Sequence, residues 1–222
     1  MTALSKPHGG VRGIVVGDVL RRGVSTTLAR QYSTTFVDAT APAQFALGTR
    51  AGVEAIVFMA RSLAEADGDL VLLSLDGIGA YDHIKRAAML GKLRDLPSAQ
   101  AILPFVLLFY GQASTYTMYD EHGNPQDIVQ AEGGEHGDPL MPALYALGQH
   151  EALRQASQEL HSDDVLMAFL DDLYLITSRD RVAEAIKTVL ATWNASQGSA
   201  HIWGSSKSGA LSVAVRLRDL VR

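Results

Sequence analysis

Two short apolar runs, Val165–Leu170 and Leu173–Ile176, follow one another with only Asp171-Asp172 between them. Runs of this length and composition read as buried strands. Strands joined by two residues pair antiparallel, as a hairpin. The chain therefore holds a sheet in which one hairpin carries two adjacent carboxylates at its tip. Two-residue tips favour Asn-Gly or Asp-Gly, since glycine accepts a positive φ. Asp-Asp does not meet that need, and neighbouring carboxylates repel, more so when partly buried. A divalent cation relieves the repulsion, because hard cations select oxygen ligands. Taken alone, the dipeptide fits a plain polar turn as well as a metal site.

Leu70–Leu75 is a further apolar run, and Asp76 closes it. Were these strands neighbours, Asp76 and Asp171 would meet at one edge of the sheet. Convergent aspartates without histidine or cysteine partners suit Mg²⁺. Such sites align an attacking and a leaving oxygen on phosphorus. On its own, Asp76 also fits a helix cap. A strand ending in aspartate occurs in P-loop ATPases too, but no G-x-x-x-x-G-K-[ST] string is present. The nearest string, Gly204-Ser205-Ser206-Lys207-Ser208-Gly209, has the wrong spacing.

The rest of the chain supplies helices. Apolar spacing predicts a helix over Arg50–Ala66 and another over His83–Leu96, which Pro97 closes. A third over Ser98–Tyr110 is expected to kink at Pro104. Thr115–Tyr119 and Asp127–Ala131 read as a small hairpin. Asp138, with Pro139 at the first position, is expected to start a helix running to Leu160. Arg181–Trp193 is the last helix. Residues 1–49 and 198–222 read as irregular. The order gives an α+β fold: a split βαββαβ antiparallel sheet with helices packed on one face.

Composition narrows the function. Of 222 residues, 47% are apolar, enough for a core, and there is no cysteine. Disulfides, a thiol nucleophile and thiolate metal sites are excluded. No apolar run is long enough to span a membrane, and Met1–Gly10 lacks the apolar stretch of a secretory signal. The expected location is intracellular, nuclear or cytoplasmic, with no membrane partner. Net charge is −5, yet Lys6, Arg12, Arg21, Arg22 and Arg30 face Asp18 alone in the first 30 residues. That basic head suits either a phosphate-facing segment or a solvated arm.

Three strings carry a family resemblance. Leu73-Ser74-Leu75-Asp76-Gly77-Ile78-Gly79-Ala80-Tyr81-Asp82 resembles the first palm motif of reverse transcriptases. Gly133-Gly134-Glu135-His136-Gly137-Asp138-Pro139-Leu140-Met141-Pro142 resembles the second, of Q-G-D-P-L-x-P type. Phe169-Leu170-Asp171-Asp172 is similar to the third, aromatic-x-Asp-Asp. Order and separation also fit, and the feel is that of non-LTR, LINE-type retrotransposon polymerases. The resemblance implies an RNA-directed DNA polymerase acting on an RNA template, a DNA primer and dNTP. It implies that Asp76 and Asp171 hold two Mg²⁺ ions, Mn²⁺ being an accepted substitute, with Asp172 in support. It further implies that Tyr81 gates against a 2′-hydroxyl; without the family, Tyr81 fits an ordinary core tyrosine. Gly137, Pro139 and Leu140 would line the template and nucleotide pocket, together with His136, which stands where the family has glutamine. Lys6 and Arg12 would contact the triphosphate, with Gly13 in place of a proline, and Lys207 would assist pyrophosphate departure. Asp82 and Asp138 would stay structural. The implied organisation is partial fingers over 1–49, a palm-like core over 50–197 and a tail over 198–222, part of a larger polyprotein. A template-free nucleotidyl cyclase and an inactive palm-fold module are the alternatives.

Overall fold

The computed structural model describes residues 2–5, 11–77, 80–195 and 211–216. In chain order the elements are β1 (Thr2–Ser5), β2 (Val11–Ile14), α1 (Val19–Gln31), α2 (Ser33–Thr40), α3 (Gly52–Ala66) and β3 (Leu70–Gly77). There follow α4 (Ala80–His83), α5 (Arg86–Arg94), a 3₁₀ turn (Gln100–Ile102), α6 (Leu103–Tyr110), β4 (Ser114–Tyr119) and β5 (Pro125–Gln130). The chain continues through α7 (Met141–Glu159), β6 (Val165–Phe169), β7 (Asp172–Ser178), α8 (Val182–Ala195) and β8 (Leu211–Arg216). Two compact units result, residues 1–32 with 81–148 and residues 33–80 with 149–222.

The second unit is built on a four-stranded antiparallel sheet of order β6-β7-β3-β8. Strand alternation sorts its side chains into two layers. Leu73 and Leu75 lie opposite Leu175 and Leu173, and these in turn lie opposite Leu166 and Ala168. This layer packs on Ala152, Leu153 and Ala156 of α7 and on Ala185, Val189 and Trp193 of α8. Met167 and Ile176 point the other way and pack with Ile56 and Ala60 of α3. The class is the expected α+β, and α3 adds cover on the second face.

The first unit pairs β1 with β2 and β4 with β5, both antiparallel. Its core draws on Met89 and Leu93 of α5, Val106 and Tyr110 of α6, and Leu140, Met141, Leu144 and Tyr145.

Four details differ from the sequence expectation, each for a local reason. Residues 1–49 hold α1 and α2 rather than irregular chain. The α1 pattern is inverted: Val19, Leu20 and Val24 are exposed while Ser25 is buried, so apolar periodicity gives no signal. Pro104 sits in the first turn of α6, where its missing N–H costs nothing, so it starts that helix instead of kinking a longer one. Asp138 accepts from the Leu140 N–H within a turn, and α7 begins only at Met141. Within the stretch read as an irregular tail, Leu211–Arg216 alternates as a strand and pairs with β3.

Candidate active site

At the hairpin tip the turn is displaced by one residue from the expected Asp171-Asp172. Phe169 pairs with Asp172, so the loop residues are Leu170 and Asp171, and Asp172 already belongs to β7. Leu170 takes the positive φ, at 54°. A left-handed non-glycine residue costs about 1–3 kcal/mol and persists where its surroundings over-determine it. Here the Leu170 N–H donates to Gln44 Oε1 at 2.9 Å, and its carbonyl accepts from Gln149 Nε2 at 3.0 Å.

Once Asp172 lies in the strand, the register decides what it faces. The β3–β7 ladder sets Asp76 directly opposite Asp172. Opposed positions of an antiparallel pair have Cα atoms about 4.5–5.5 Å apart. Asp171 is the next residue toward the tip. Three carboxylate-bearing positions thus occupy one end of the sheet, as the sequence suggested for Asp76 and Asp171. Asp76 is placed by its backbone alone. Asp171 and Asp172 are half-buried. Tyr174, two residues on from Asp172 and on its face of the strand, has its phenol pKa raised, first by burial and then by the charges of Asp172 and Asp171. Carboxylate oxygens without nitrogen or sulfur partners are the donor set hard divalent ions select, so these residues fit such ions. Among the described side chains, which do not include that of Asp76, no group of three histidine, cysteine or carboxylate residues gathers into a metal site.

The second motif and the end of the first meet in the other unit. Gly133 N–H donates to the Ile84 carbonyl and Gly134 N–H to the Tyr81 carbonyl, each at 2.8 Å. Gly133 has φ 71°, and a Cβ there would lie 2.3 Å from the Asp82 oxygen, so only glycine allows this approach. The contact brings His136 to Tyr81, ring centroids 5.3 Å apart, and His136 Nε2 to Asp82 Oδ1 at 3.4 Å. Tyr81 also stacks on Tyr145 at 4.8 Å. Gly137 N–H donates to the Val15 carbonyl, and Pro139 is half-buried beside it in the loop. Of the remaining expected site residues, Lys6 and Lys207 lie outside the described residues. Arg12 is placed by its backbone, opposite Leu4 in the β1–β2 pair.

Sequence reading missed a buried ionic network in this unit. Arg21 of α1 donates to Glu135 Oε1 at 2.7 Å and to Asp138 Oδ2 at 3.1 Å. Its guanidinium lies 3.9 Å from the Phe109 ring centroid. Tyr110 donates to Asp138 Oδ2 and Tyr116 to Glu135 Oε1. Burial works against the Arg21 charge, but the Glu135 hydrogen bond and the charges of Glu135 and Asp138 outweigh it and hold its pKa up. The only early signal was the excess of arginine in the basic head.

Tyr110 gives this network a pH signature. Burial, then the adjacent Asp138 charge, pushes its phenol far above the usual range. A raised folded-state pKa means stability is full below the unfolded value, about 10, and is lost as pH rises beyond it. Tyr116 and Tyr174 shift in the same direction and add to the effect. Tyr110→Phe is expected to flatten the alkaline loss of stability above about pH 10. Urea unfolding between pH 8 and 11 measures this, and parallel curves for parent and variant would contradict it.

The comparisons agree with the motifs. The family described as Reverse transcriptase (RNA-dependent DNA polymerase) matches residues 4–200. Among solved structures, the chain is similar to telomerase from Candida tropicalis in complex with a TWJ fragment of telomeric RNA. The TM-score is 0.64 at 12% identity, covering 96% of this chain and 39% of that one. The telomerase of Candida albicans, also solved with a TWJ fragment, gives 0.59 at 14% identity, covering 92% and 36%. An apo Candida tropicalis telomerase truncated from its C-terminal domain gives 0.59 at 13%, covering 82% and 44%. These likenesses show the fold, and the chain spans less than half the length of each. No curated protein sequence matches the chain. No described helix is long and apolar enough to cross a membrane.

Proposed function

Since the chain belongs to the reverse transcriptase family, we propose that its hairpin tip is the nucleotidyl-transfer centre of an RNA-directed DNA polymerase. The observation that carries this reading is the register that sets Asp76 against Asp172 with Asp171 next to it. Asp76 and Asp171 would hold two divalent ions, Mg²⁺ or Mn²⁺ in its place, with Asp172 as a supporting carboxylate. When bound, such ions neutralise charge on the triphosphate and make a 3′-hydroxyl a better nucleophile. The protein's own part is to fix these carboxylates on a strand end. The Gly137 N–H ties the second-motif loop to the Val15 carbonyl, and Gly137, Pro139, Leu140 and His136 would line the template and nucleotide pocket. Lys6 and Arg12 would meet the triphosphate, and Lys207 the departing pyrophosphate. Template RNA and primer DNA are held through phosphates, with sequence read by base pairing. The motif strings favour a non-LTR, LINE-like source and a larger polyprotein. In this reading residues 1–49 are a fingers segment and 50–197 the palm.

Extension of a DNA primer on an RNA template, with dNTP and Mg²⁺, tests the proposal. Weak, template-dependent lengthening of the labelled primer is expected. Cyclic product from ATP or GTP alone would favour the template-free alternative, and no product with any metal would favour an inactive palm module.

Tyr81 carries a separate expectation. Its ring is fixed by stacking on Tyr145, so it presents a defined surface. A 2′-hydroxyl that loses water without gaining a partner costs about 1–3 kcal/mol. Tyr81→Ala is expected to relax the preference for dNTP over NTP by roughly tenfold to a hundredfold, from the same energy. An unchanged ratio of the two kcat/KM values would return Tyr81 to a packing role.

A further inference from the structure

We infer that Gln44 and Gln149 are positioning residues that clamp the Leu170 peptide in its left-handed conformation and so fix where Asp171 is presented. The inference rests on the polymerase reading for its purpose, and on the geometry for its substance. Leu170 immediately precedes Asp171, and its φ of 54° is one a leucine does not adopt unaided. The rotation about this residue sets the direction in which the chain leaves β6. The position of Asp171 therefore depends on it.

The two glutamines hold the peptides on either side of that Cα. Gln44 Oε1 accepts from the Leu170 N–H at 2.9 Å, and Gln149 Nε2 donates to the Leu170 carbonyl at 3.0 Å. Both donors and acceptors are complementary, which fixes the orientation of each side-chain amide. Both side chains are nearly or fully buried, Gln44 at 6% exposure and Gln149 at 0%. Each is anchored on an independent element. Gln149 lies inside α7. Gln44 forms a parallel bridge to Ala168, closed by the Phe45 N–H to the Ala168 carbonyl and the Ala168 N–H to the Ala43 carbonyl, each at 2.8 Å. Gln44 Oε1 also accepts from its own Ala46 N–H at 3.1 Å, which stiffens the side chain. Gly52, the first residue of α3, leaves room for this segment: a Cβ there would lie 2.1 Å from the Phe45 oxygen.

The clamp has a cost that ordinary packing would avoid. Gln44 Nε2 and Gln149 Oε1 are buried and lack hydrogen-bond partners among the described residues. An apolar side chain of the same length would leave no orphaned amide atom at either position. The amides are explained by what they hold.

The test uses the full 222-residue chain and conservative variants. Gln44→Met and Gln149→Met keep the volume and remove the amide. Thermal unfolding confirms that each variant folds. The first readout needs no metal: hydrogen exchange at the Leu170 amide. Exchange in Gln44→Met is expected to be at least about tenfold faster than in the parent, while Leu173 and Leu175 amides in β7 keep their protection. The second readout is Mn²⁺ affinity by water-proton relaxation. Outer-shell partners of metal ligands are worth about 10–100-fold in affinity, and Gln149→Met is expected to lose that much. Leu170→Gly in the same background is expected to restore most of it, since glycine takes a positive φ unaided. A glutamine that only packed would not be rescued by deleting a neighbouring half-buried side chain.

Unchanged exchange at Leu170 in a folded Gln44→Met would overturn the clamp. Mn²⁺ affinity within twofold of the parent in a folded Gln149→Met, or no rescue by Leu170→Gly, would overturn its role in positioning. A parent chain that binds no Mn²⁺ would overturn the polymerase reading instead, and the clamp would then be decided by the exchange rates alone.

Discussion

Asp171→Asn is expected to lower primer extension by about a thousandfold while leaving the melting temperature unchanged or slightly raised. The substitution keeps the size and shape of a half-buried side chain at the tip and removes its charge. Loss of charge stabilisation at a metal-assisted transition state is worth several kcal/mol, and about 4 kcal/mol corresponds to a thousandfold. The stability sign follows from the neighbours. Asp171 and Asp172 are adjacent, and Asp76 faces Asp172 in the ladder, so without a cation their like charges oppose folding. Removing one charge relieves this. Primer extension and a thermal melt on the same preparation read both effects. Activity retained within tenfold would remove Asp171 from the metal-holding role. A melting temperature lowered by many degrees would show that the carboxylate acts in the fold instead.

Arg21→Met should destabilise the chain by about 3–5 kcal/mol. Its side chain is 9% exposed, and it faces Glu135 and Asp138, which are 4% and 3% exposed. Breaking a buried ion pair from one side costs more than the pair contributes, because the partner charge stays behind without compensation. Here two carboxylates would be left. For a chain of this size the loss corresponds to a melting temperature lower by roughly 6–20 °C. Adding Glu135→Leu to Arg21→Met should recover part of it, since that change removes one of the stranded charges. Urea unfolding of both variants checks the pair. A single variant as stable as the parent would show that solvent reaches the network.

What the sequence made legible, and what it hid, follows from the kind of physics each feature obeys. Buried strands reveal themselves by composition, so Leu70–Leu75 and the two runs around Asp171 were found, with their antiparallel relation. The helices packed on the sheet have apolar faces of ordinary period, and Ile56, Ala60 and Leu63 mark α3. Helix α1 could not be found that way, since it turns Val19 and Leu20 outward and buries Ser25. The turn was misplaced by one residue because the rule that puts glycine at positive φ carries no information when a leucine is held there by side chains more than a hundred residues away and twenty residues away. Gln44 and Gln149 have no local pattern: a glutamine in a helix and one in a loop look alike on any periodicity scale. The Arg21 network was hidden for the same reason, for its partners lie far along the chain. Residues that act through distant contacts become visible only in three dimensions.

The register that joins Asp76 to Asp172 also has a kinetic meaning. The two strands that carry them are separated by roughly a hundred residues of chain, and closing so long a loop adds little to the equilibrium cost, since that cost grows only with the logarithm of length. It does slow the search, because non-local pairings bring no reward until the loop has closed. During synthesis β3 emerges long before β7 and β8, the strands that flank it on both sides. Until they arrive it offers two open edges of Leu and Val, the kind of surface that recruits strands from other chains. A nascent or truncated chain ending before β7 therefore presents an aggregation hazard as well as an incomplete set of carboxylates.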